Sequence, residues 1–176
     1  MGKMRGSPNF IIFIVLLLMG WTLNSVYHVI QSPQKQQSDA HLIYQIALLQ
    51  FEMLNNKLAD SPKNTADLTL LKQAAYAVDY TYERFLISLG SSKAFELQAL
   101  KRMTEYILRL QMSGDRSLKP DETKTFVDAA ILFKQLYEEF TKLMINENNG
   151  IIASRNTKVH KLDQEIVELF SRKLLQ

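Results

Sequence analysis

The sequence predicts an all-α protein: one N-terminal transmembrane helix followed by an antiparallel four- to five-helix bundle. Three observations predict it. An apolar run from Phe10 to Ile30 carries no Asp, Glu, Lys or Arg. Beyond it, five segments repeat apolar residues at three-to-four spacing, the signature of amphipathic helices. No segment alternates apolar and polar residues for more than a few positions, as a half-buried strand would.

The run comes first. As a helix rising about 1.5 Å per residue, its roughly 21 residues span about 31 Å, close to the hydrocarbon core of a bilayer. Trp21 and Tyr27 suit the membrane interface, where an amphipathic ring keeps one wet end. A cleaved signal peptide is the competing reading, since it shares the basic start and apolar middle. Ser25 is the available −1 residue, but Leu23 then fills −3, where a small side chain is needed. Apolar character also resumes at Val26, Tyr27, Val29 and Ile30. The expectation is an uncleaved signal anchor over residues 10–30. The absence of cysteine excludes a lipoprotein. Lys3 and Arg5 precede the run, and only Lys35 follows it closely. Positive flanks stay inside. Residues 1–9 are therefore expected as a short basic cytoplasmic tip, 31–38 as a polar linker and 39–176 as an extracytoplasmic bundle, placing the protein in the cell membrane or envelope.

All 18 acidic residues follow the run, whereas two of the 21 basic ones precede it. The bundle is thus close to neutral, and nucleic acid, which needs clustered basic residues, is not an expected partner.

Each helical segment has punctuation. The first runs from about Asp39 to Ala59, with Leu42, Ile46, Leu49 and Met53 as its stripe and Ile43, Ala47, Leu54 and Leu58 widening it. Asp60-Ser61-Pro62 stops it, because proline cannot continue the hydrogen-bond ladder. The second is expected to open at Asn64 as N-cap, with Asp67 near the positive end of the helix dipole. Leu68, Leu71, Ala75, Val78, Tyr82, Phe85 and Leu89 form its stripe, and Gly90 supplies a left-handed stop. Ser91 or Ser92 is expected to cap the third, which carries Leu97, Leu100, Met103, Ile107 and Leu110 and ends at Gly114. The fourth opens at Pro120-Asp121-Glu122, with proline at the first helical position. Phe126, Ala130, Phe133, Tyr137, Phe140 and Met144 continue it to the break at residues 146–150. The fifth runs from about Arg155 to Leu174. Helices of about 20–27 residues with short joins pack as antiparallel neighbours.

Catalytic constellations are hard to find in this chain. A di-iron bundle needs paired Glu-x-x-His motifs, and none of His28, His41 and His160 sits in one. His160 with Asp163 is an i, i+3 pair capable of weak zinc ligation, but the expected reading is a solvated helix face. Glu138-Glu139 and Asp79/Glu83 also read as solvated charge. No Gly-x-Ser-x-Gly elbow or glycine-rich phosphate cradle occurs. No catalytic, cofactor-binding or metal residue is expected.

Two features point to partners instead. Tyr76 and Tyr80 are i, i+4 neighbours lying off the stripe that Tyr82 continues; they form either an exposed partner surface or a second buried face. Val159, Leu162, Ile166 and Leu169 follow 3-4-3 spacing flanked by Lys158, Lys161, Glu165 and Glu168, resembling a short coiled-coil seam. That helix either packs back on its own domain or pairs with another chain. The candidate partner surface is thus Tyr76, Tyr80, Val159, Leu162, Ile166 and Leu169. The expected function is a non-enzymatic, single-pass, membrane-anchored protein whose bundle binds a protein partner or forms a homo-oligomer. The alternative is an extracytoplasmic small-ligand sensor domain acting through a partner membrane protein.

Overall fold

The computed structural model describes residues 33–90, 95–144 and 150–175, with side chains from Ala40 onward. Two compact units divide the chain, residues 1–36 and 37–176. The second holds all of the fold below except the opening turn of the first helix. The expected anchor over residues 10–30 lies outside the described residues. Among those described, no helix is long and apolar enough to cross a membrane.

The described residues form five α-helices and no strand: α1 (Pro33–Ala59), α2 (Leu68–Leu89), α3 (Ala99–Met112), α4 (Pro120–Phe140) and α5 (Ala153–Leu174). Their directions follow from which ends meet. Lys72 on α2 donates to Gln111 on α3 at 2.7 Å, and Glu83 lies 3.8 Å from Lys101 at the other end, so α2 and α3 are antiparallel. Glu139–Arg155 and Asp121–Lys173 make α4 and α5 antiparallel in the same way. By contrast, Ala99 meets Asp163 and Arg109 meets Leu174, so α3 and α5 run parallel.

Aromatic rings fill the centre. Phe140 packs against Tyr44, Phe51, Tyr82 and Phe85 at ring-centroid distances of 4.9–6.1 Å. This joins α1, α2 and the end of α4. The Tyr44 hydroxyl donates to the Phe140 carbonyl at 2.5 Å, satisfying a polar atom that burial would otherwise penalise. Tyr106, Phe126 and Phe170 join α3, α4 and α5 at 5.6–5.7 Å.

The stripes expected for α2, α3 and α4 lie in this core, with Leu89, Ala130 and Tyr137 partly buried against it. α1 is different. Leu42, Ile46, Leu49 and Met53 are 61, 43, 56 and 49% exposed, so the central row of the expected stripe faces outward, whereas Ala47, Leu54 and Leu58 from its widened edge are buried and Ile43 is partly so. The inward side is Ala40, Tyr44, Ala47, Phe51, Leu54 and Leu58, all buried. The helix is apolar on two sides, and the side bearing the aromatic rings fills the larger interior volume.

Three helix starts also differ from expectation. α1 opens at Pro33 rather than Asp39, so residues 33–38, expected as part of a polar linker, are helical. Proline is tolerated in a first helical turn, where its missing N–H has no partner to lose. α2 opens at Leu68 rather than Asn64, because residues 63–65 are engaged elsewhere. The Thr65 N–H donates to the Arg116 carbonyl at 3.0 Å, and the Leu118 N–H donates to the Lys63 carbonyl at 2.9 Å. Asn64 and Asp67 close the intervening turn, the side chain of each accepting the backbone N–H of the other. α3 begins at Ala99 and is 14 residues long, shorter than expected. The proposed caps Ser91 and Ser92 lie outside the described residues. Gly90 and Gly114 adopt φ of 74° and 86°, as left-handed stops after α2 and α3 require.

Candidate functional site

Two kinds of place on this bundle are candidates: hollows with mixed charged and apolar linings, and apolar side chains facing away from the core. A cleft of about 320 Å³ beside the α1–α2 turn is lined by Lys57, Asp60, Ser61, Lys63 and Asp67, among others. A groove of about 370 Å³ between α4 and α5 is lined by Asp128, Ile131, Glu165, Glu168 and Leu169, with Arg172 lying 3.9 Å from Glu168. Among the described residues, no three His, Asp or Glu side chains gather as a metal site.

The pair His160 and Asp163 is not the solvated face expected of it. Asp163 is 2% exposed. Its carboxylate accepts the Ala99 N–H at 2.8 Å, so α5 supplies the cap that α3 lacks from its own residues. Burial pushes the Asp163 carboxyl above its ordinary range, opposed by the backbone donors of Ala99 and Gln98. His160 stacks on Phe95 with centroids 4.0 Å apart, and the Tyr82 hydroxyl donates to the Phe95 carbonyl at 2.6 Å. These groups hold the segment that leads into α3. Asp163 is already engaged there and not poised as a metal ligand.

Glu122 is the other nearly buried carboxylate. Arg116 donates to both of its oxygens at 2.7–2.8 Å, and the Lys119 N–H donates at 2.8 Å. The Arg116 guanidinium, chiefly, holds the Glu122 carboxyl below its ordinary range. This cluster fixes the entry to α4. Glu139, read from sequence as solvated, has its carboxylate 18% exposed and 2.7 Å from Arg155, whose hydrogen bond lowers its pKa. Asp79 is shifted upward by burial, with Lys101 opposing.

The sequence-derived partner surface divides in two. Tyr76 and Tyr80 stand on the outward face of α2, 52 and 61% exposed, opposite buried Ala75, Val78 and Tyr82. The Arg84 guanidinium lies over the Tyr80 ring, 5.0 Å from its centre, in a cation–π contact. Val159 and Ile166 are fully buried, whereas Leu162 and Leu169 pack against the core partly buried. The seam-like face of α5 is therefore core, and its use as a pairing surface is corrected: the bundle itself covers it.

The α1 face is the surface that sequence reasoning missed. Leu42, Ile46, Leu49 and Met53 form a continuous outward row. A signal for it existed: Ala40, Tyr44, Ala47, Phe51, Leu54 and Leu58 repeat at unbroken 4-3-4-3-4 spacing on the opposite side. Removing apolar area from water is the main favourable term in association. The outward faces of α1 and α2 offer it as rows of exposed side chains. Comparison with known proteins returns no match, whether to a family model, a curated protein or a solved structure.

Proposed function

We propose that this protein is a single-pass, membrane-anchored interaction module without catalytic activity of its own, its bundle held outside the cytoplasm to bind protein surfaces. The anchor is the uncharged run Phe10–Ile30, and Lys3 and Arg5 ahead of it set the orientation. The observation that carries the binding role is the exposed Tyr76–Tyr80 pair on a bundle whose core is already closed. Tyrosine offers a rigid apolar ring with a polar handle at small entropic cost, which is why it recurs at interface centres.

The test is the double substitution Tyr76→Ala with Tyr80→Ala in the full chain. Rings outside the core contribute little to folding, so thermal stability is expected to change by no more than about 0.5 kcal/mol. Each ring is expected to contribute about 2 kcal/mol to partner binding, read as loss of co-purifying protein from mild-detergent extracts. Unchanged co-purification, or collapse of the fold, overturns the assignment of this surface.

A further inference from the structure

We infer that the outward face of α1 is a pairing seam for a second copy of this chain, in parallel and in register. This rests on the membrane-anchor reading above for its orientation, but its residues argue for it separately. Leu42, Ile46, Leu49 and Met53 lie at 4-3-4 spacing, the repeat of a two-stranded coiled coil. In that frame Ile46 and Met53 occupy a positions, and Leu42 and Leu49 occupy d positions. A β-branched residue at a with leucine at d favours two parallel strands.

Charge complementarity points to the same partner. Glu52 is the g residue beside the seam, and Lys57 is the e residue of the next heptad. In a parallel, in-register pair, g of one helix meets the following e of the other, so Glu52 meets Lys57 of the second copy, and the two-fold axis makes the contact twice. An antiparallel pair sets g against g and e against e, which loses this match. Both side chains are exposed, and neither has an ion-pair partner among the described residues.

The chain outside the structure fits this arrangement. Residues 1–32 end directly at α1 and contain the Phe10–Ile30 run. Two copies anchored in one bilayer bring the start of α1 from the same membrane face, which favours the parallel pairing. The seam is about two heptads long, a length marginal in free solution. Confinement to the membrane plane raises the effective concentration of one copy around another and makes a weak seam sufficient.

The chain has no cysteine, so single introduced thiols report contacts cleanly. Leu42→Cys and Asn56→Cys place thiols at d positions about 21 Å apart along α1. In the full chain, in membranes, mild oxidation is expected to link each variant to itself, while Lys134→Cys on the exposed side of α4 stays monomeric. Glu52→Lys or Lys57→Glu added to Leu42→Cys is expected to lower the linked yield roughly fivefold, because attraction becomes repulsion at both contacts. The combined exchange is expected to restore it. Failure of both thiols to self-link in the membrane fraction overturns the seam. So does linkage of one alone, which marks an antiparallel pair, or linkage to a different protein. Release of the chain by alkaline extraction overturns the anchor reading instead. The same oxidation, run on that released chain over a concentration series, then tests the seam: concentration-dependent self-linking supports it, and none overturns it.

Discussion

The fold shifts the proton affinities of two acids, Asp163 and Glu122, in opposite directions, and the difference is measurable. Asp163 is lifted above its ordinary value of 3.8 by burial, so the folded chain holds its proton more tightly than the unfolded chain. Its contribution to stability is full below 3.8 and is lost as pH rises through the folded value. Glu122 is depressed below 4.5, chiefly by Arg116. Its contribution is full above 4.5 and is lost as pH falls through the folded value. Asp163→Asn keeps an acceptor for the Ala99 N–H and removes the buried charge. It is expected to gain relative to the parent as pH rises from acid to neutral, in denaturant melts at a series of pH values. Asp163→Ala leaves that helix-opening N–H unsatisfied and is expected to cost about 1–3 kcal/mol. Glu122→Gln is expected to flatten the acid limb of the same profile. The role of Asp163 is not legible in the sequence. The N–H it caps lies 64 positions away, and no local signal announces a cap supplied by another helix.

On α1, two neighbours are expected to behave as different classes of residue. Phe51→Ala empties a fully buried ring site against Phe140 and is expected to cost about 3–5 kcal/mol. Leu49→Ala, two positions away, changes a side chain that is 56% exposed and is expected to shift folding stability by no more than about 0.5 kcal/mol. Thermal or urea melts of the two variants decide between the faces. Existence and type were legible in the sequence for all five described helices, because breakers such as Pro62 and Gly90 and a run of stripes agree. Facing was legible for α2, α3 and α4, where the longest regular apolar stripe is the one that the core buries. It was not legible for α1, where both sides are apolar and only tertiary volume chooses between them. Nor did spacing settle α5. A coiled-coil repeat and a straight helix drift apart by only about 20° per heptad, so over Val159 to Leu169 a pairing seam and a bundle core look alike.

For the molecule as a whole, the described bundle and the apolar run are separable by experiment. Leu16→Arg with Leu17→Arg is expected to cost about 2.5–3.5 kcal/mol of insertion free energy per charge at a helix centre. The variant is expected to leave the membrane fraction, with the helical circular dichroism of the bundle retained. Recovery of the unaltered chain as a soluble species starting near residue 26 contradicts the anchor.

The tie between residues 63–65 and 116–118 carries a consequence in time. Thr65 stands at its centre: its hydroxyl donates to the Gly114 carbonyl at 3.0 Å and accepts the Arg116 N–H at 3.0 Å. Gln111 reaches across to the Thr65 carbonyl and to the Thr69 hydroxyl. Two connecting segments that would ordinarily open by local fluctuation are thereby laced to each other, and neither releases without the other. In native-state hydrogen exchange, the amides of Thr65 and Leu118 are expected to slow together and to exchange at one shared opening free energy. Thr65→Val removes the lacing hydroxyl at nearly constant volume and is expected to speed both amides in parallel, turning this end of the bundle from a single slow unit into two fast ones.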